Sequence, residues 1–425
     1  MELTKPEEYF PYIQHTLDQG RDPLRLKENM IDRLFSQHYD APHGRVYTGH
    51  SMVFSEVVCK IPAVHQSIAA DPKAVQVLVP RHRSLFDYAI NQPVHHDLIN
   101  GKIMIVVGHN LLVHRFDSSL RNFGGFMFLR NDEFLQRPGL PRVWLTKDRY
   151  LKEVFPAYLR DQMVSGFDPR HDLMVYLEYE RDTRTGRSNA GRTKTGRLRK
   201  LNWSFLRVLH DLVADSDVRL FITPINVSFS KVPDTPFVVH PTKLKGVFKK
   251  LSYLHEQRFV FHYFPSYAER HPEGKIRATV TYGAPEAIND LDFSTFREIK
   301  EYADGLRARI GLLETVYPAA FLFAAMGNDT EVEIRVLDDR VKRLFALLRS
   351  KGVDCAPISD VDGGMLPTEA IVDLAALNLN TNPNFLFLGP RTRRYIKTEH
   401  GRVVSSDPPL QAWYANSLAH FFDTA

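Results

Sequence analysis

Short apolar runs set the rhythm of the middle of the chain. From about Val75, "VQVLVP", "KIMIVV", "GFMFLR", "DLMVYLE", "RLFITPINVSFS", "RFVFHYF" and "KIRATVTYG" are separated by amphipathic stretches of about 10 to 25 residues. Strand-length runs alternating with helix-length patterns predict an α/β fold, a mixed, largely parallel sheet flanked by helices over residues 61–290. Upstream, "DPLRLKENMIDRLFSQHY" places apolar residues at helical spacing, which predicts an N-terminal helical cap over residues 1–60. After Pro285 the strands largely stop. "FSTFREIKEYADGLRARIGLLETV" and "EVEIRVLDDRVKRLFALLRSKG" each carry one apolar face, predicting a helical C-terminal region over residues 291–425. Pro224, inside "RLFITPINVSFS", argues for an edge, a bulge or a strand end, because proline cannot donate to a ladder.

Composition narrows this picture only a little. The 425 residues are 44% hydrophobic, enough to bury a large core. The longest apolar run, "VYPAAFLFAAM", is shorter than the roughly 20 residues that span a bilayer. It reads as a buried helix or as an apolar surface helix that touches lipid or an acyl chain. Cys59 and Cys355 form no disulfide framework or metal-ligand spacing, which fits a reducing compartment. The acidic, polar start "MELTKPEEYFPYIQH" does not read as a secretory leader. A formal charge of +5 favours anionic partners weakly. The excess is concentrated: Arg181, Arg184, Arg187, Arg192, Lys194, Arg197, Arg199 and Lys200 fall close together among Gly, Thr and Ser, the composition of a loop around an anion.

Four stretches carry candidate chemistry. In "VLVPRHRSLFDYAI" a strand ends near Pro80, Ser84 suits a helix N-cap, and Asp87 three residues later completes most of a capping box. Capping explains Asp87 and leaves His82 over. That histidine stands at the C-terminal end of a strand, where α/β sheets place ligands, and Asp87 can reach its other ring nitrogen. The pair would be half of a triad whose nucleophile comes from the substrate. In "LRNFGGFMFLRND" Arg130 appears where a short strand ends; if that strand neighbours Val77–Pro80, Arg130 reaches the same crevice, ready to hold a phosphate. "LMVYLEYERDTRTGRSNAGRTKTGR" delivers Glu178 from a strand and then Arg181, Arg184 and Lys194. Its "GRSNAGRT" also approximates a phosphate-binding P-loop, with Arg192 in place of the lysine. "FITPINVSFSKVPD", the fourth, could shape a wall of the crevice. The histidine groups His95 with His96 and His109 with His114 lack convincing metal-ligand spacing and read as core or surface residues.

In order and spacing these stretches resemble the glycerophospholipid acyltransferases, above all the bacterial membrane-associated enzymes that acylate glycerol 3-phosphate or dihydroxyacetone phosphate. "HRSLFDY" resembles the family's His-x4-Asp motif, "GGFMFLR" its Gly-rich turn ending in Arg, and "EYERDTRTG" its Glu-Gly-x-Arg motif with a following Arg-Thr-Gly. Lys194–Gly196 and Pro224 look like the later Lys-Thr-Gly and the motif-four proline. Tyr179 and Glu180 stand where the family carries small residues, and Asn131 where a second basic residue often follows.

The resemblance implies an acyltransferase-like fold and transfer of a fatty acyl group from acyl-CoA or acyl carrier protein to a phosphorylated glycerol-type acceptor in phospholipid synthesis. His82 would be the general base held by Asp87. Arg130, Arg181, Arg184 and Lys194 would bind the acceptor phosphate, with Glu178 organising them or a hydroxyl. It implies no metal, no cofactor beyond the acyl co-substrate and no nucleic-acid partner. A cytoplasmic location follows, peripheral on an anionic membrane surface. A catalytically altered relative that scaffolds other enzymes by binding lipids or acyl carriers is the alternative.

Overall fold

The fold is taken from a computed structural model. It describes residues 3–11, 37–41, 44–48, 53–99, 102–108, 125–128, 133–135, 143–146, 149, 153–154, 156–158, 161, 171–181, 188–190, 192–214, 216–239, 259, 263–381, 383–384, 391–392 and 394–422. Strands β1 (Gln37–Ala41), β2 (Gly44–Thr48), β3 (Phe54–Lys60), β4 (Ala74–Pro80), β5 (Lys102–Gly108) and β6 (Gly125–Phe128) come first. They are followed by β7 (His171–Val175), β8 (Glu178–Arg181), β9 (Ser188–Ala190), β10 (Lys200–Leu201), β11 (Arg219–Phe229), β12 (Ile276–Tyr282) and β13 (Glu286–Ala287). The main sheet runs β1-β2-β3-β12-β11-β4-β7-β5-β6, with β13 also on β11. From β11 through β4, β7 and β5 to β6 every neighbour is parallel, while β12 is antiparallel to β11. The mixed, largely parallel α/β sheet expected from the apolar rhythm is therefore present.

β4 explains why the sheet is buried on both sides. Val75, Val77 and Val79 belong to the core on one face, and Leu78 to the core on the other. That division is the period of 2 expected of a pleated strand. The face of Val77 is covered by α3 (Trp203–Val213) and α5 (Phe296–Leu312), through Leu206, Leu209, Ile299 and Leu306. The face of Leu78 is covered by α2 (Phe86–Ile99), which follows α1 (Val64–Ala70) and β4, and by four helices further along the chain, α6 (Pro318–Met326), α7 (Ile334–Ser350), α8 (Thr368–Asn380) and α9 (Pro408–Asn416). A capping box closes the start of α5: Thr295 accepts the Glu298 N–H and Glu298 accepts the Thr295 N–H.

Four expectations need correction or completion. The helical cap over residues 1–60 is not what residues 37–60 make. β1, β2 and β3 join the central sheet, because "RVYT" and "FSEVVCK" are rich in β-branched residues; residues 12–36 lie outside the described set. The described residues of "RFVFHYF" are not in a strand. Phe259 and Tyr263 lie in helical backbone, and Phe259 packs beside Phe264 at the start of α4 (Phe264–Arg270), an apolar run without alternation whose type the pattern could not fix. Third, β11 is a central strand, not an edge. Pro224 fits there because its carbonyl faces away from β4, accepting Gly283 N–H. Its missing N–H points to the same side, in the gap between the β13 pairing that ends at Ile222 and the β12 pairing that begins at Ile225.

Fourth, the two readings of "VYPAAFLFAAM" resolve in favour of burial. α6 lies among α7, α8 and α9, and Phe321, Leu322 and Phe323 are at most 1% exposed. Phe321→Ala is expected to cost about 3–5 kcal/mol, measured as a lower urea midpoint at an unchanged slope. A shift below about 0.5 kcal/mol, the surface range, would contradict burial. No helix among the described residues is long and apolar enough to cross a membrane.

Candidate active site

The register of the parallel strands assembles the site. Val77 pairs with Leu173 and Leu78 with Met174, so continuing the same offset past the strand ends sets His82 opposite Glu178. On the other side, Pro80 pairs with Ile225, and the Arg81 N–H makes the last ladder bond to the Ile225 carbonyl at 3.1 Å. His82 then leaves the sheet with both backbone groups held. Its N–H donates to Glu178 Oε1 at 3.0 Å, and its carbonyl accepts the Thr193 N–H at 3.2 Å.

The helix start that follows has unusually complete capping. Asp87 Oδ2 accepts the N–H groups of Arg83 (2.8 Å) and Ser84 (3.0 Å). Asp234 Oδ2 accepts the Leu85 N–H at 3.0 Å, and Ser84 Oγ accepts the Phe86 N–H at 3.1 Å while donating to Asp234 Oδ1 at 2.6 Å. Four consecutive donors entering α2 are thus satisfied by two carboxylates and a hydroxyl, which suits the positive end of the helix dipole. Asp87 also takes a third donor through the same oxygen: His82 Nδ1 lies 2.9 Å from Oδ2. Capping and orientation of the imidazole therefore share one oxygen, while Oδ1 has no hydrogen-bond partner among the described residues.

That geometry fixes the chemistry of the ring. Both side chains are buried, and the His82 ring packs against Tyr176 with centroids 4.4 Å apart. Burial, reinforced by the guanidinium groups of Arg192 and Arg199, pushes His82 down to about 3. Burial pushes Asp87 up to about 8, against the two backbone donors. Neutral imidazole with Nδ1–H donated to Asp87 has Nε2 as its basic nitrogen. A proton on the carboxyl belongs on Oδ1, because three donors already converge on Oδ2, so the tautomer survives in either charge state of Asp87.

Around the pair lies a shell of charge. Burial pushes the Glu178 carboxyl up, opposed first by Arg199, whose N–H donates to Oε2 at 3.3 Å with Nε at 3.5 Å. Arg192 donates to Asp234 Oδ2 at 2.5 Å and retains 14% exposure. Gly196 turns the basic loop with φ of +80°, and a Cβ there would stand 1.9 Å from the Trp413 carbonyl oxygen, so only glycine fits. The indole of Trp413 donates to the Thr193 carbonyl at 3.1 Å, continuing a chain that begins at His82.

His82 and Asp87 make the contact that the spacing predicted; Glu178, expected to organise the phosphate-binding basic residues or a hydroxyl, instead accepts the His82 N–H and pairs with Arg199. Lys194 is exposed. Arg181 lies on β8 with its side chain outside the described set, and Arg130 and Arg184 lie outside the described residues altogether. The condition set for Arg130 is not met: β7 and β5 stand between β4 and β6, roughly 14 Å at about 4.8 Å per strand. The P-loop reading fails as well. Ser188–Ala190 is a strand antiparallel to β8, and the next helix begins only at Trp203.

Arg199, Asp234 and Tyr176 were not singled out beforehand, and Arg192 only as the residue standing in for a P-loop lysine. The two arginines were inside the basic run, but nothing in the run says which members turn inward. His95 is a core histidine, bonded to Asp172 at 2.9 Å and near the Tyr282 hydroxyl at 3.3 Å; His109 and His114 lie outside the described residues. Among the described residues no group of three His, Cys, Asp or Glu has the geometry to hold a metal. No known protein family matches the chain, and no curated protein matches it.

Proposed function

We propose that this chain is an O-acyltransferase that moves a fatty acyl group from acyl-CoA or acyl carrier protein to a hydroxyl of glycerol 3-phosphate or a similar phosphorylated acceptor. The observation that carries the reading is the buried His82–Asp87 contact at the C-terminal end of a central parallel strand. Nε2 takes the acceptor's hydroxyl proton as its oxygen attacks the thioester carbonyl. The new ester C–O bond forms, the C–S bond breaks, and the proton passes to the departing thiolate. Asp87 stabilises the transient imidazolium and no acyl-enzyme forms. Arg192, part-exposed and ion-paired with Asp234, and Arg199, ion-paired with Glu178, stand beside His82, and with Arg181, Arg184 and Lys194 of the family resemblance they support an anionic acceptor. The same resemblance supports peripheral work at an anionic membrane surface.

Release of free thiol from a long-chain acyl-CoA tests the reaction directly. It should require the acceptor, and release independent of acceptor would contradict direct transfer. Arg192→Gln is expected to raise the acceptor KM at least about 10-fold while the donor KM moves less than about 2-fold. Equal effects on both would remove Arg192 from the acceptor site.

A further inference from the structure

The arginines on either side of His82 share one buried partner that comes from far along the chain. Arg81 Nη1 donates to Glu314 Oε2 at 2.8 Å, Arg83 Nη2 reaches the same oxygen, and Asn226 Nδ2 donates to it at 3.0 Å. Side-chain exposures of Arg81, Arg83 and Glu314 are 0%, 6% and 2%. Arg81 also donates to the Gly196 carbonyl at 2.7 Å, tying the same anchor to the basic loop. Glu314 lies just beyond α5, outside every stretch that carries the candidate chemistry, and His420 is the further titratable group beside it.

We infer that Glu314 is a positioning residue: by gripping both neighbours of His82 it fixes the direction in which the imidazole presents Nε2, so the site is complete only with the C-terminal region in place. The backbone N–H groups of residues 81 and 83 are held by Ile225 and Asp87, and Glu314 adds a second hold through both guanidinium groups, leaving residue 82 little freedom; a buried charge pair in this setting specifies geometry more than it stabilises. The kinetic side of this inference rests on the acyl-transfer reading; the ring geometry does not. The groups facing His82 itself are Asp87, Glu178, Arg192, Arg199 and Asp234.

The test uses the full chain in three forms: Glu314→Gln, Asn226→Leu, and the double variant Arg83→Met with Glu314→Gln, which conserves the net charge of the cluster. Ring nitrogens of ¹⁵N-labelled histidine, assigned with His82→Ala, report tautomer and protonation. Wild-type His82 should stay neutral with Nδ1–H from about pH 5 to 8. Loss of the anchor should let its titration move back toward the ordinary 6.5. In the kinetic arm kcat should fall at least about 10-fold in the Glu314 variants and about 3-fold in Asn226→Leu, with both KM values within about 2-fold. Unchanged ring signals in the folded double variant and in Asn226→Leu would overturn the inference, whatever happened to melting temperature. If wild-type protein transferred no acyl group, the functional reading would fall while the ring signals still judged Glu314.

Discussion

Replacing His82 by alanine is expected to lower kcat by about 10² to 10⁴ while the protein stays folded. The loss is that of the base which takes the hydroxyl proton, so it should fall on kcat with little change in either KM. The fold should tolerate the change because the residue's backbone groups, held by Glu178 and Thr193, do not depend on the imidazole. Asp87 loses one of three donors and keeps the two that begin α2. The stability cost should stay within about 2 kcal/mol, the range of one lost hydrogen bond with a small gap beside Tyr176. Single-turnover transfer together with urea unfolding checks both halves. Full activity in a folded His82→Ala protein would rule out this base.

Asp87 should separate into two functions. In Asp87→Asn the amide oxygen can take the place of Oδ2 and keep all three donors, while the amide nitrogen occupies the partnerless Oδ1 position. Stability should then change by less than about 1 kcal/mol, and the Nδ1–H tautomer should persist. Asp87→Ala abandons all three buried donors and should cost about 1–3 kcal/mol or more, with kcat down about 10² to 10⁴ as the ring loses its orientation.

The pH dependence follows from the opposite shifts of the pair. His82, lowered to about 3 from 6.5, stays neutral at physiological pH, and its contribution to stability is present above 6.5 and lost as pH falls toward 3. Asp87, raised to about 8 from 3.8, contributes below 3.8 and loses that contribution as pH rises through 8. kcat should therefore show no acid limb near 6.5. It should rise toward alkaline pH as Asp87 becomes a carboxylate able to stabilise the imidazolium, and Asp87→Asn should abolish that rise. An acid limb at 6.5 that survives in Asp87→Asn would mean that His82 titrates as if in water.

The sheet was legible where an unbroken apolar run stands between turn signals, as in "KIMIVV" and in "VQVLVP", a strand buried on both faces. The aromatic run before α4 was not, because apolar residues without alternation suit a helix as well as a strand. Pro224 misled for a physical reason: the rule against central proline assumes a continuous neighbour on both sides, and β11 changes neighbours at that residue. At the site, His82 and Asp87 stood out because their spacing is local. Glu314, Asp234 and Trp413 reach the site only through tertiary packing, and no single-chain pattern links residue 82 to residues 193, 234, 314 and 413.

The decisive measurement is acyl transfer by wild-type protein and His82→Ala side by side, with long-chain acyl-CoA and acyl carrier protein as donors and glycerol 3-phosphate, dihydroxyacetone phosphate and lysophosphatidate as acceptors. An ester product formed by the wild type with at least one phosphorylated acceptor, and reduced about 10² to 10⁴-fold in the variant, is the predicted result. Product formed equally by both proteins, or by neither with any pairing, would contradict His82-dependent acyl transfer.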